Sequence, residues 1–185
     1  MDLTKEQAIS AIDLCLQNTT GFLEDSKVLY SARKLQRIWM AYENALEELG
    51  KTKEMLEQLE QGQNPVQMNN EIRTNHPTQL ASIKNDVKVP EDRVNEYERI
   101  WSEFPMPHIQ LNAKHYAEEF EKLDQSIIDG LTDKGHRRRK DCRVNFKPNG
   151  DPYLSEPMRE GDCKLIEETI ESKILEFQKR LDKIR

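Results

Sequence analysis

Apolar residues recur every three or four positions along most of this chain, which is the spacing of one face of an α-helix. The first such stretch follows Thr4, a residue type that caps helix N-termini, and the segment from Asn18 to Gly21 is able to kink or break it. A second helix is predicted from about Leu35 to Gln61. Its apolar face consists of Leu35, Ile38, Tyr42, Ala45, Leu46, Leu49 and Leu56.

The middle of the chain alternates between breaks and helical stretches. Residues 61–70 are rich in turn formers and predict a loop, and residues 77–83 predict a short helix that starts on a proline. Further helices are predicted over residues 91–103 and 108–128. The second of these carries an apolar stripe made of Ile109, Tyr116, Phe120, Leu123 and Ile127.

The pattern changes before the C-terminus. Residues 143–157 alternate around Pro148-Asn149-Gly150, which predicts a hairpin or an extended element. A last helix is predicted from about Asp162, with a regular apolar seam of Ile166, Ile170, Ile174, Phe177, Leu181 and Ile184. Together these elements predict one all-α domain over residues 1–185. It would be an up-and-down helical bundle with a small β-hairpin or extended element at 141–157, and with 86–107 as a candidate insertion.

Gly50 stands inside the second predicted helix, where glycine costs roughly 1 kcal/mol relative to alanine. Glu43, Glu47 and Lys51 form a stripe roughly opposite the apolar face, and Glu48 lies at its edge. One interpretation is a solvated face with a Glu–Lys pair one turn apart. The other is that a helix, a subunit or a ligand approaches the bare backbone closely, so that the neighbouring charges belong to a structured polar site.

Charge limits the partners of the chain as a whole. It has 28 basic and 34 acidic side chains and a net charge of −6, so its overall field does not attract nucleic acid. The one dense basic run is His136 to Lys140. Interpreted as a loop, it is either a solvated segment or a phosphate-binding patch, and the candidate RNA-binding residues are Arg137, Arg138, Arg139, Lys140 and Arg143.

The cysteine content favours a reducing compartment. Cys15, Cys142 and Cys163 are odd in number and lack the close pairing of structural zinc ligands, and a site from Cys142, Cys163 and His136 is a weak alternative. We expect no metal and no cofactor. The N-terminus is polar and no apolar run approaches the length of a membrane helix, so the sequence predicts a cytoplasmic protein without membrane contact.

Several short motifs occur in a characteristic order. Leu23-Glu24-Asp25-Ser26 is followed by an Arg- and aromatic-rich stretch and then by Ala45-Leu46-Glu47-Glu48-Leu49-Gly50-Lys51. His76 precedes a short helix, and an extended segment at 143–146 leads to Ser155-Glu156-Pro157 before the last helix. In these features the chain resembles the AbiV family of abortive-infection proteins, most strongly over residues 22–51.

The resemblance implies a HEPN-like four-helix bundle that commonly dimerises, in a group that includes many RNases and toxins of antiviral defence. It implies arrest of translation in infected bacteria, a homodimer and a phage-encoded activator. RNA is then a candidate partner. HEPN RNases pair an arginine with a histidine at a wider spacing, but no arginine here has a histidine five to seven positions downstream.

The nearest match is Arg73 and His76, which we take as the candidate catalytic pair: RNA cleavage needs a proton acceptor, a proton donor and a cation for the phosphate. The competing interpretation is that His76 caps a helix and Arg73 is solvated. Glu47, Glu48, Gly50 and Lys51 are expected to orient the pair or to form a dimer interface.

An alternative function is non-enzymatic. The bundle would then bind a phage protein or the translation machinery through the second helix, and the C-terminal seam would serve dimerisation.

Overall fold

The computed structural model describes residues 1–141, 145–146, 152–153 and 160–185, and the side chains of residues 1–34, 37–132 and 161–185. The predicted all-α bundle is confirmed. The helices are α1 (Lys5–Ser31), α2 (Leu35–Glu60), α3 (Asn70–Thr74), α4 (His76–Ile83), α5 (Glu91–Ser102), α6 (Pro107–Gln110), α7 (Ala113–Asp141) and α8 (Glu160–Ile184). The strands are β1 (Asp2–Leu3), β2 (Val66–Gln67), β3 (Asn145–Phe146) and β4 (Pro152–Tyr153).

Helix α1 begins where the sequence predicts and runs without a break. Thr4 caps it, since its hydroxyl accepts from the backbone N–H of Gln7 while the Gln7 side chain accepts from the backbone N–H of Thr4. Of the kink or break expected near Asn18 to Gly21, the break is absent, because α1 continues through this stretch, where the hydroxyls of Thr19 and Thr20 donate to the carbonyls of Cys15 and Leu16.

Helix α2 is the central element and packs against α1, α4, α7 and α8. Its predicted apolar face is buried over the described side chains, with Ile38, Tyr42 and Leu49 each 0% exposed, while the Leu35 side chain lies outside the described part. The solvated-face interpretation of the polar stripe is wrong, because Glu43 is also 0% exposed and Glu47 is 5% exposed. Neighbouring helices therefore cover this side of α2 as well as its apolar face.

Helix α8 runs antiparallel to α1, with ion pairs near both ends of the contact. Lys27 of α1 pairs with Glu171, and Asp13 pairs with Arg185 just beyond the end of α8. The predicted apolar seam of α8 is confirmed as a core face. Because Ile170 and Phe177 are 0% exposed within the single chain, the seam is not available for dimerisation, and that part of the interaction-module hypothesis is wrong.

Helices α5, α6 and the first half of α7 form a subsidiary layer, which we call the arm. The candidate insertion at 86–107 contains an ordered helix, α5, which packs antiparallel on α7 through Tyr97 and Trp101. The single helix predicted over 108–128 is instead α6 followed by the longer α7.

The predicted α7 stripe is the least accurate assignment. Phe120 is 39% exposed and Leu123 is 60% exposed, whereas the core face of α7 is formed by Ala117, Ile128 and Leu131. Ile128 and Leu131 lie 11 and 14 positions after Ala117 and share one face of α7 with it, so the predicted stripe lies beside the face that is buried.

Two short antiparallel strand pairs complete the fold. β3 pairs with β4, which confirms the predicted hairpin before the last helix. β1 pairs with β2 and anchors the segment after α2, a contact that the sequence pattern did not reveal. No helix in the described part of the chain is both long enough and apolar enough to cross a membrane.

Candidate acid–base site

Gly50 lies where α4 packs against α2. A Cβ placed on Gly50 would come 2.2 Å from the backbone oxygen of Gln79 and 2.9 Å from the Ser82 hydroxyl. These distances are shorter than any ordinary van der Waals contact, so only glycine permits the observed approach. The close neighbour is a helix of the same chain, and this face of α2 is therefore covered within one protomer.

The contact continues in register along both helices. Glu47 meets His76, Gly50 meets Gln79, and the Lys53 ammonium donates to the Ser82 carbonyl at 2.9 Å. In each case the two residues are 29 positions apart in sequence. The two helices therefore run in the same direction, and the glycine brings the N-terminus of α4 down onto Glu47.

Glu47 and His76 form a carboxylate–imidazole pair. His76 Nδ1 is 2.7 Å from Glu47 Oε2. The Glu47 side chain is 6% exposed and that of His76 is 50% exposed. An ionised carboxylate only accepts, so Nδ1 carries the hydrogen and Nε2 is left to exchange a proton with a ligand or with solvent. The buried partner holds the imidazole, and the imidazole reaches the surface.

His76 is the first residue of α4, while Asn75 caps this helix by accepting from the Thr78 backbone N–H at 3.4 Å. The capping role assigned to His76 in one interpretation therefore belongs to Asn75. The short element α3 comes directly before it and had not been predicted. Helix α3 is capped by Asn69, six positions before Asn75. Asparagines this close together are typical of loops, so the sequence did not indicate a helix between them.

Arg73 does not join this pair. It is exposed at the end of α3, where its guanidinium donates to Asn70 Oδ1 at 3.2 Å and lies 3.9 Å from Met1 Sδ. No hydrogen bond or ion pair links Arg73 to His76, both of which lie in the described part of the chain. The two proposed catalytic residues are near in sequence but are not assembled into one constellation.

Glu48 and Lys51 belong to a different surface. Their side chains pair at 2.7 Å and are 15% and 23% exposed. They lie beside Cys15 of α1, where burial and the Glu48 carboxylate raise the pKa of the thiol to about 12. The Glu-Glu-x-Gly-Lys motif is thus divided between two interfaces, with Glu47 and Gly50 toward α4 and the other charges toward α1.

The basic run lies in a helix rather than in a loop, which corrects the sequence interpretation. The backbone of Arg137, Arg138, Arg139 and Lys140 forms the last turns of α7. Their side chains, and all of Arg143, lie outside the described part. Among the described residues no group of His, Cys, Asp or Glu is arranged to hold a metal ion.

No protein-family model, curated protein or solved structure matches this chain. The assignment of its site therefore depends on geometry. The residues that sequence reasoning missed are Gln79 and Ser82, which form the α4 side of the Gly50 contact. The glycine was the only signal of a close neighbour, and it does not indicate which neighbour.

Proposed function

We propose that this chain is a bacterial phage-defence effector of the cytoplasm that arrests translation or growth of infected cells by cleaving RNA without a metal. The observation that carries the proposal is the Glu47–His76 pair, with a buried carboxylate behind a half-exposed imidazole. The resemblance to AbiV proteins in residues 22–51 gives the biological setting.

In the proposed reaction, His76 Nε2 takes the proton of a ribose 2′-hydroxyl. The 2′-oxygen attacks the adjacent phosphorus and forms a cyclic phosphate, while the bond to the 5′-oxygen breaks and this oxygen takes a proton from solvent water; the imidazolium later returns its proton to solvent. Glu47 fixes the tautomer of His76 and stabilises the imidazolium that results. Arg73 and the basic run at 137–140 with Arg143 would bind phosphate, and a homodimer would bring such groups to one site.

The test is induction of the protein in a bacterial host, with growth and total RNA followed in parallel. We expect His76→Ala and Glu47→Gln to abolish both arrest and RNA fragments, and Arg73→Ala to weaken them. His115→Ala is the matched control because His115 is an exposed histidine of the arm. Arrest with intact RNA that none of these variants changes would exclude the nuclease.

A second candidate function is the non-enzymatic one, a module that binds a phage protein or the translation machinery. It is favoured by the separation of Arg73 from His76, and by apolar residues exposed on the arm, including Leu111 at 86% and Leu123 at 60%. Leu123→Glu would then abolish arrest while His76→Ala would not. The reverse pattern supports the nuclease.

A further inference from the structure

The arm, over residues 91–124, combines acidic charge with exposed apolar surface. It holds nine acidic and four basic side chains, so it accounts for −5 of the net charge of −6. Of the ten large apolar side chains that are exposed in the described part of the chain, five lie in the arm. They are Ile100, Met106, Leu111, Phe120 and Leu123. Apolar surface gathered in one short segment is typical of an interaction site.

The exposed apolar residues of α5 and α7 extend a row of aromatic rings between the two helices. The ring centroid of Trp101 lies 5.3 Å from those of Tyr116 and Phe120, and that of Tyr97 lies 5.6 Å from Phe120. Phe120 is nevertheless 39% exposed, and Leu123, three positions further along α7, is 60% exposed. The continuous face that results, here called the aromatic surface, consists of Tyr97, Ile100, Trp101, Tyr116, Phe120 and Leu123.

Carboxylates border the aromatic surface on both of its helices. On α5, Glu96 lies four residues before Ile100 and Glu103 three residues after it, so the three residues share one stripe. On α7, Glu119 lies four residues before Leu123. All three glutamates are exposed. The apolar face is therefore flanked by negative charge on its α5 side and on its α7 side.

These charges decide the kind of partner that fits. Carboxylates repel the phosphates of RNA and of an anionic membrane, and a second copy of the chain would present the same negative arm. Glu103 pairs with Arg99 and Glu119 with Lys122, but both pairs are exposed and contribute little, so cations of a partner are able to replace them. The matching surface has apolar side chains at its centre and basic side chains on both flanks.

We propose that the arm binds a basic amphipathic helix of a partner protein. The apolar stripe of such a helix would pack on the aromatic surface, while lysines or arginines beside the stripe would pair with the glutamates. The proposal gives the chemistry of the partner in the non-enzymatic function and rests on that function for its biological setting. RNA cleavage is not required for it.

The test is fluorescence anisotropy of labelled synthetic peptides titrated with the purified full chain. The first peptide has about 18 residues, or about five helical turns, with leucines at spacings of three and four and lysines elsewhere. The second has the same composition without that spacing, and the third has glutamate in place of lysine. We expect the first to bind at least about tenfold more tightly than either of the others. Equal binding of the first two peptides, or no binding of the first, would overturn the proposal.

A leucine variant locates the apolar contact. Leu123→Ser should weaken binding of the first peptide about tenfold, whereas Leu175→Ser on α8 should leave it unchanged. The two leucines are 60% and 57% exposed, so the control is matched and neither change removes a core residue. Equal effects of the two variants would place the peptide elsewhere. A dimer that Leu123→Ser converts to a monomer, measured by light scattering, would mean that the arm covers a second copy instead.

A pair of double variants tests the charge. Glu96→Gln combined with Glu119→Gln should weaken the binding of the first peptide and reduce its dependence on salt concentration. Glu24→Gln combined with Asp25→Asn removes the same charge from exposed positions of α1 and should change neither. If both double variants act alike, the net charge of the chain attracts the peptide and the proposal is wrong. Peptide binding at the arm by a protein that does not arrest growth would support this site while excluding the defence function.

Discussion

Gly50 of α2 faces the backbone carbonyl of Gln79 in α4, and the space between them excludes even a methyl group. A backbone oxygen cannot rotate away as a side chain does. The interface must therefore separate if the glycine is replaced, and the N-terminal end of α4 would move away from Glu47.

We therefore predict that Gly50→Ala lowers the free energy of unfolding by about 1–3 kcal/mol, because the clash outweighs the helix propensity gained with alanine. Urea denaturation measures it. Gly21→Ala is the matched control, since Gly21 is also inside a helix but a Cβ added there would meet nothing within 4 Å. It should stabilise by up to about 1 kcal/mol. A Gly50→Ala protein as stable as wild type would contradict the α2–α4 packing.

A second prediction concerns the reactivity of Cys15. With its pKa raised to about 12 by burial and by Glu48, its thiolate is scarce at neutral pH and iodoacetamide should react slowly in the native protein. Glu48→Gln removes one cause of the shift and should speed the alkylation of Cys15, followed by peptide mass spectrometry.

Glu47→Gln is the control for this experiment, because the same chemical change is made one residue away on the interface with α4. It should leave the alkylation rate of Cys15 unchanged. If both variants accelerate the reaction equally, the division of the two glutamates between α1 and α4 is incorrect.

A third prediction concerns attachment of the arm. No residue of α5 is buried, and Arg93 links this helix to Asp124 of α7 and Glu168 of α8, each at 2.8 Å. Arg93→Ala should release α5 and expose Trp101, which contacts Tyr116. The readout is a red shift of Trp101 fluorescence in a Trp39→Phe background.

Arg99→Ala provides the comparison for Arg93→Ala. Arg99 is also on α5 but forms only an exposed pair with Glu103 at 3.3 Å. Its loss should leave the Trp101 emission where it was, since exposed pairs contribute little. An unshifted spectrum in Arg93→Ala would mean that the aromatic contacts alone hold the arm.

A fourth prediction concerns alkaline pH. Burial and the hydrogen bond to Asp124 raise the pKa of Tyr97 from 10.0 to about 12. The folded protein thus holds this proton more tightly than the unfolded chain. The protonated Tyr97 hydroxyl therefore stabilises the folded state fully below pH 10, and this stabilisation is lost as the pH rises toward 12. Ultraviolet titration of wild type against Tyr97→Phe should show the late ionisation, and Asp124→Asn should bring it earlier. Ionisation of Tyr97 near pH 10 in the wild type would contradict the buried contact.

The long helices were predictable because each keeps one apolar face along its length. The seam of α8 and the face around Tyr42 are of this kind, and both are buried as expected. The stripe of α7 misled because Phe120 and Leu123 follow helical spacing without being covered. Apolar periodicity indicates that a helix has an apolar face, but it does not indicate whether another element covers that face.

The candidate site was only partly predictable for a related reason. His76 and Gly50 were singled out from the sequence, and the structure places both at the α2–α4 interface. Glu48 and Lys51 instead face α1. Which residues of α2 face α1 and which face α4 depends on how α2 is oriented about its axis among its neighbouring helices, and tertiary packing sets that orientation. Arg73 is near His76 along the chain, but α3 ends between them and each side chain bonds to other partners.

The constant offset between α2 and α4 also affects the order of assembly. Glu47 and His76 close a loop of 29 residues, whereas Lys27 and Glu171 close one of 144. The free-energy cost of the chain entropy lost on closing the shorter loop is lower by about 1.4 kcal/mol. Both members of the acid–base pair are also translated before α5. The pair can therefore form on the nascent chain, but the proposed activity also uses the basic run at 137–140 and a partner protomer, so RNA cleavage would begin only after the whole chain has been made and has dimerised.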